Sequence, residues 1–117
     1  MAAVSATFRA LFSWRKPEID YAFAHAKVRK NIRGLKLLSA PLPQDSEISF
    51  GKLLIIIPGV AGKAHDRNKL RRQLQAIFYE AKLYETLQLS ILLVYKDAMK
   101  LSYEDLRSFL TQNLTLP

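Results

Sequence analysis

The chain has 117 residues, half of them hydrophobic, which is enough for one domain with a single buried core. With no cysteine, and with His25 and His65 as the two histidines, the sequence excludes disulfide bonds and thiolate chemistry and argues against a zinc enzyme. The net charge of +8 favours a polyanionic partner, and no apolar stretch is long enough to span a membrane.

Residues 1–15 are predicted to form an extended N-terminal arm, and residues 16–117 to form a single domain. The first 16 residues combine serines with basic residues and contain no acid, which also fits a short mitochondrial transit peptide. They are too short and too interrupted for a secretory signal. We therefore favour the leading arm of a cytoplasmic domain.

The first predicted helix starts at Pro17, which suits a first helical turn, and runs to about Ala26. Its apolar residues follow helical spacing, at Ile19, Ala22, Phe23 and Ala26. A strand region with interleaved charges is predicted from Val28 to Ser39, with a bulge or turn at Gly34. The prolines and polar residues between Ala40 and Ser49 predict a loop.

The segment Gly51–Pro58 contains five consecutive aliphatic residues, which predicts a strand buried on both faces. A glycine-containing loop follows, and Asp66 is the predicted cap of the next helix. That helix has one apolar stripe, formed by Leu70, Leu74, Ile77, Phe78, Ala81 and Tyr84.

A second apolar run, Leu89–Tyr95, predicts a second buried strand. Ser102 and Asp105 have the spacing of a capping box, so the last helix starts there. Its inward face is predicted to consist of Leu106, Phe109, Leu110 and Leu114. The element order predicts a small α+β sandwich, in which helices pack on a central sheet.

The basic excess lies in the first two-thirds of the chain. Arg9 to Arg72 contain 14 basic and 5 acidic residues, whereas residues 73–117 contain 4 basic and 5 acidic ones. The partner of this region is nucleic acid or anionic lipid, and the alternative is a solvated basic face without a partner.

The densest basic segment is Lys63–Arg72, in which five of ten residues are Lys or Arg at the start of a predicted helix. Asn68, Arg71 and Arg72 share one arc of this helix, away from most of the apolar stripe. Cations oppose the helix dipole at this end, while the free amide protons attract phosphate. This arrangement indicates that a bound anion compensates the charge.

Aromatic residues also alternate with cations near the N-terminus, since Trp14, Tyr21 and Phe23 lie among Arg15, Lys16 and Lys27. This combination is typical of proteins that bind single-stranded nucleic acid by base stacking and phosphate pairing. Tyr21 is the better stacking candidate by helical periodicity, because Phe23 is equally compatible with the core.

Motifs for catalysis are absent from the sequence. The segment Gly59–Ala64 superficially resembles a phosphate loop, but its glycines are too close and Ala64 lacks the hydroxyl that holds magnesium. The pair Gly59 and Gly62 fits a KH-type loop only weakly, because it follows a strand. No cluster of carboxylates is evident, so we predict neither a catalytic side chain nor a metal site in this chain.

The segment Lys63-Ala64-His65-Asp66-Arg67-Asn68-Lys69-Leu70-Arg71-Arg72 resembles the "RNR" motif of the bacterial ribonuclease P protein component. The surrounding order is also similar: an aromatic-bearing first helix, a strand leading to Gly-Lys-Ala, an Ile-Leu-Leu-Val strand and a Leu-Ser-Tyr-Glu-Asp-Leu helix start. The similarity covers about residues 9–114.

This resemblance implies a fold like the second domain of ribosomal protein S5, with a left-handed β-α-β crossover, although the general rule favours the right-handed form. It also implies a function. Family members bind a catalytic RNA and the 5′ leader of precursor tRNA, and the RNA cuts the leader with Mg²⁺ bound mainly by the RNA and substrate. The single domain is then an RNA-binding domain, with no membrane and no DNA as partner.

The motif assigns residues to these roles. The residues implied to bind the catalytic RNA are Lys63, Arg67, Asn68, Lys69, Arg71 and Arg72. Those implied to bind the leader are Lys16, Ile19, Tyr21 and Phe23. Four positions depart from the family pattern: Gln75 replaces a frequent arginine, Ile19 replaces an aromatic residue, and Gly59 and Val60 stand where lysines are frequent. The alternative function is a stand-alone, ribosome-associated RNA-binding module without a nuclease role.

Overall fold

The computed structural model describes residues 7–44 and 47–114. Within them, one mixed four-stranded sheet is formed by β1 (Lys27–Ile32), β2 (Leu35–Pro41), β3 (Lys52–Ile56) and β4 (Gln88–Val94). The strand order is β1-β2-β4-β3, in which β3 and β4 are parallel and the other pairs are antiparallel. The predicted α+β class is confirmed.

Four α-helices accompany the sheet in the described part of the chain: α1 (Phe8–Leu11), α2 (Lys16–His25), α3 (Ala64–Glu80) and α4 (Tyr103–Asn113). Short 3₁₀ turns lie at Gly59–Ala61, Leu83–Thr86 and Lys96–Lys100. Neither these turns nor any described helix is long and apolar enough to cross a membrane.

Two hydrophobic clusters lie on opposite faces of the sheet, because successive residues of a strand alternate in direction. The larger one joins α1, α3 and α4 to residues such as Leu37 and Leu92. The smaller one joins Ala22 of α2 to Leu89 and Ile91 of β4. Helices α2 and α3 therefore cover different faces.

The region from Val28 to Ser39 is a β-hairpin rather than one strand, and β2 continues to Pro41, into the predicted loop. Gly34 makes the turn with a φ of 97°. A side chain there is excluded, because its Cβ would lie 2.5 Å from the backbone nitrogen of Ala98. The suspected turn at Gly34 is confirmed.

The prediction that β3 is buried on both faces is wrong. This strand lies at an edge of the sheet, so Leu54, Ile55 and Ile56 are only partly buried, although Leu53 is fully buried. Strand β4 is one of the two inner strands, and its Leu89, Ile91, Leu92 and Val94 are buried as predicted.

The predicted start of α4 is confirmed, whereas the predicted start and end of α3 are wrong. The capping box of α4 is present: the Ser102 hydroxyl accepts from the Asp105 amide, and the Asp105 carboxylate accepts from the Ser102 amide, both at 3.1 Å. Asp66 is not the cap of α3, because the helix starts earlier and Lys63 is its N-cap. The apolar stripe also ends before Tyr84, which is buried in the following 3₁₀ turn.

The predicted extended arm is wrong where the structure describes it. Residues Phe8–Leu11 form α1, and Leu11 is fully buried in the larger cluster. The Thr7 hydroxyl caps this helix by accepting from the Ala10 amide at 3.2 Å. Residues 1–6 of the arm lie outside the described residues.

Candidate nucleic-acid interface

The start of α3 is held to the preceding loop by Arg67. Its backbone amide donates to the Lys63 carbonyl at 2.9 Å, and its Nε donates to the Gly62 carbonyl at 3.0 Å. The side chain is therefore half-buried at the junction of loop and helix. Arg67 has a structural contact as well as a charge near the surface.

The remaining motif residues lie at the surface. Lys63, Asn68, Lys69 and Arg72 are exposed and Arg71 is half-buried, whereas the apolar stripe of the same helix is anchored in the core. This helical amphipathicity separates the cations from the residues that stabilise the fold. The sequence-predicted set is brought together on one element.

The positive charge of this surface is not neutralised by neighbouring acids. Across residues 7–44 and 47–114, none of the five motif cations forms a salt bridge, whereas Lys16, Arg33 and Lys52 each do. The charge lies at a helix N-terminus, where the helix dipole adds to it. The arrangement is suited to binding a polyanion.

The four predicted leader-binding residues lie on α2, on the other face of the sheet. Phe23 is 50% exposed, which excludes a core role for its ring. Tyr21 and Ile19 are half-buried, and the Tyr21 ring packs on the His25 ring with centroids 4.4 Å apart. Phe23 is thus more accessible than Tyr21, contrary to the preference from periodicity.

Lys16, the fourth member of this set, pairs with Asp20 at 3.1 Å on the helix surface. Both side chains are largely exposed, and such pairs contribute little to stability. Lys16 can therefore leave Asp20 and pair with a phosphate group at little cost in stability.

An exposed part of the sheet lies beyond α2, and the sequence did not predict it. Ala40, Leu89 and Ile91 are fully buried beside α2 and Lys52 is 6% exposed, while residues farther along the strands of this face stay partly exposed. We call these residues the open sheet face; they are Lys36, Leu38, Leu54, Ile56 and Leu93. Their register places one lysine among four aliphatic side chains.

A buried ion pair attaches α2 to β3. The Lys52 ammonium contacts both carboxylate oxygens of Glu18, at 3.1 and 3.3 Å, and lies 5.5 Å from the centre of the Trp14 ring. The Trp14 indole donates to the Leu53 carbonyl at 3.1 Å. Trp14, a sequence candidate for base stacking, therefore has a structural role.

A second ion pair joins the β-hairpin to the 3₁₀ turn after β4. The Arg33 Nε donates to the Asp97 carboxylate at 2.6 Å. This hydrogen bond lowers the pKa of the Asp97 carboxyl below 3.8, outweighing the opposing effect of burial. The pair is remote from α3 in sequence and stabilises the hairpin turn.

No described residues form a group of three or more His, Asp or Glu side chains that could hold a metal ion. The donor set in this part of the chain does not fit a protein-held magnesium, and we assign no step to one.

Comparison with known proteins agrees with this architecture. A sequence profile of the family described as Ribonuclease P matches residues 14–115, which is most of the chain. The chain belongs to the ribonuclease P family. It is a protein subunit of ribonuclease P, and RNA binding and tRNA 5′ processing are the known role of this family.

Solved structures of ribonuclease P proteins share the fold. The Staphylococcus aureus protein superposes with a TM-score of 0.73 at 17% identity, covering 89% of this chain and 92% of that one. The Thermotoga maritima protein gives 0.66 at 19% identity, covering 86% and 96%. Its complex with 1-(4-fluorophenyl)-2-thiourea gives 0.66 at 18% identity, covering 85% and 94%. No curated protein sequence matches significantly.

Proposed function

We propose that the chain binds the catalytic RNA of ribonuclease P through α3, and that the RNA removes the 5′ leader of precursor tRNA. The observation that carries this proposal is the set of five motif cations at the start of α3, which form no salt bridge with the described carboxylates. Phosphate groups of the RNA neutralise this charge and accept hydrogen bonds from the guanidinium groups.

Each motif residue has a part in this contact. Arg71, Arg72, Lys63 and Lys69 supply charge at the surface, and Asn68 supplies an amide that can donate to phosphate or to a base edge. Arg67 keeps the loop against the helix, which fixes the direction in which the other side chains extend.

The 5′ leader is the proposed ligand of α2 and the open sheet face. The half-exposed Phe23 ring offers a surface on which one unpaired base stacks, and Lys16 pairs with a nearby phosphate. Ile19 and Tyr21 support this surface from their half-buried positions. The catalytic RNA and the leader then contact opposite faces of the sheet.

The chain supplies binding and the partner RNA supplies the reaction. We propose that the Mg²⁺ required for cleavage is bound mainly by the RNA and the substrate, and that no residue of this chain is catalytic. The protein lowers the magnesium requirement by neutralising phosphates that metal ions otherwise screen. Its location is the cytoplasm, where bacterial precursor tRNA is transcribed.

Reconstitution tests this proposal. A precursor tRNA is incubated at low magnesium with the protein, with the cognate catalytic RNA, or with both. We expect efficient cleavage by the mixture only. Cleavage by repurified, RNA-free protein would contradict the assignment of the reaction to RNA, and a mixture no faster than RNA alone would favour a ribosome-associated RNA binder instead.

A further inference from the structure

A second basic surface lies on β1 and is not part of the α3 motif or of the leader-binding set. The segment from residue 27 to residue 36 contains five cations and no acid. Three of them lie on β1 itself, and we call Lys27, Arg29 and Lys30 the β1 strip. All three side chains are exposed.

The position of β1 makes the strip accessible. Among the described residues, this strand is at an edge of the sheet and pairs with β2 alone, so its outer backbone groups face away from the ladder. The register shifts between Val28 and Lys30, which places Arg29 at an irregularity of the strand. Bulges of this kind redirect side chains out of the regular alternation.

The strip carries charge that the described part of the molecule does not balance. Of the five cations in this segment, Arg33 alone forms a salt bridge with a described residue, its Asp97 partner. Lys27, Arg29 and Lys30 are close along one strand and repel each other. Charged side chains on an edge strand also hinder its pairing with another chain, which is the alternative role of the strip.

The strip also follows directly along the chain on an element that we assign to RNA. Lys27 follows the last residue of α2 by two positions, so the strip begins where the leader-binding helix ends. Val28 is 53% exposed and lies opposite Leu38 on the open sheet face, whereas Lys27 and Lys30 lie opposite Ser39 and Leu37 on the other side of the strand. A single small aliphatic residue does not provide the wide apolar face that membrane binding needs.

We propose that the β1 strip is a second phosphate-binding surface, which contacts the RNA backbone independently of α3. This inference rests on the proposed function, because it assumes that RNA is the partner. Contacts to the phosphates position the RNA without reading its sequence. The backbone belongs either to the catalytic RNA or to the precursor tRNA.

Two charge-matched triple variants test the strip. The first is Lys27→Gln, Arg29→Gln, Lys30→Gln, and the control is Arg9→Gln, Lys82→Gln, Arg107→Gln, which removes the same charge from other elements. Dissociation constants are measured over a salt series in two arms: protein with catalytic RNA, and the assembled protein–RNA complex with precursor tRNA.

In one of these arms, we expect the strip variant to lower the slope of log K against log salt by about 2 to 3 and to weaken binding by about tenfold or more. The control should change the slope by less than about 1, because distributed charge acts only through long-range attraction. The arm that responds identifies the RNA. The single variant Arg29→Gln, at the irregularity, should lower the salt slope by about one-third as much as the strip variant. Circular dichroism must show that the strip variant and the control variant are folded.

The proposal is wrong if the strip variant matches the control in both arms. If the strip variant forms dimers in sedimentation and binds RNA as wild type does, the cations serve to prevent pairing of β1 with another chain, and the proposal is wrong. If the strip variant loses binding to anionic phosphatidylglycerol vesicles but keeps its affinity for RNA, the strip is a membrane contact, and the proposal is wrong. Arg71→Gln, Arg72→Gln is measured in parallel: if it weakens RNA binding while the strip variant does not, the proposed function stands and this inference falls.

Discussion

Arg67 differs from the other motif arginines because it has a partner inside the protein. Its Nε donates to the Gly62 carbonyl, whereas the described carboxylates leave Arg71 and Arg72 without an ion pair. One residue of the motif therefore shapes the surface while its neighbours supply the charge. The sequence motif does not distinguish these two roles.

Substitution separates these roles. Arg67→Ala should lower the free energy of unfolding by about 1 kcal/mol, because the Gly62 carbonyl loses its hydrogen bond. Arg72→Ala should leave stability within about 0.5 kcal/mol, as is usual for exposed positions. Both variants should bind the catalytic RNA more weakly. Urea denaturation and filter binding measure the two quantities, and equal stability losses would contradict the distinction.

Phe23 is the exposed aromatic residue of α2 that we propose as the stacking partner of the leader. In the assembled complex, Phe23→Ala should reduce the affinity for precursor tRNA by roughly five- to a hundredfold, the value of one stacked base. Affinity for mature tRNA should stay constant, since that product has no leader. The deciding quantity is the ratio of the two affinities.

Tyr21→Ala is the matched control, because its ring is half-buried on His25. It should lower stability more than Phe23→Ala and change the affinity ratio less. A larger change of the ratio for Tyr21→Ala would reverse the assignment and support the preference that periodicity gave.

Among the elements, α2 depends on a contact between distant parts of the chain. The Lys52 side chain is 7% exposed and the Glu18 side chain 17%, so the ion pair is largely removed from water. Loss of one partner leaves the other charge buried and unpaired, which is more costly than the pair itself is stabilising.

Glu18→Gln should therefore destabilise the protein by about 3 kcal/mol, measured by urea denaturation. Adding Lys52→Met to this variant should recover part of the loss, because the unpaired ammonium is removed. If the double variant were less stable than Glu18→Gln alone, the stabilising contribution would lie in the lysine's stacking on Trp14 instead.

The β1–β2 hairpin should respond to pH through Asp97. Its pKa is lower in the folded protein than the usual 3.8, so its ion pair with Arg33 stabilises the fold above that pH. This contribution is lost as pH falls through the lowered pKa. Asp97→Asn should be less stable than wild type at neutral pH, and the difference should shrink as the carboxyl protonates; a constant difference across the acid range would contradict this.

For the whole molecule, the sequence was informative where the signals are local. The capping box of α4, the apolar stripe of α3 from Leu70 to Phe78 and the buried run of β4 each lie within one segment, and the structure confirms them. The fold class follows from their order. The prediction of Asp66 as the N-cap was wrong because aspartate is favoured both at the N-cap and in the first turn of a helix, and Asp66 lies in the first turn of α3.

The features that were missed depend on tertiary contacts. Helix α1 is too short for a periodic pattern, and its place is set by packing of Leu11 in the core. The pairing of Glu18 with Lys52 spans 34 residues, and no local pattern indicates it. For the same reason, the open sheet face became visible only from the strand register.

We propose that the cations of α3 attach this protein to its RNA. The most direct measurement is the affinity of the Arg71→Gln, Arg72→Gln variant for the catalytic RNA over a salt series, compared with wild type. We expect weaker binding and a slope of log K against log salt that is smaller by about 1.4 to 1.8, the value for two phosphate contacts. An unchanged affinity and slope in a folded variant would contradict it.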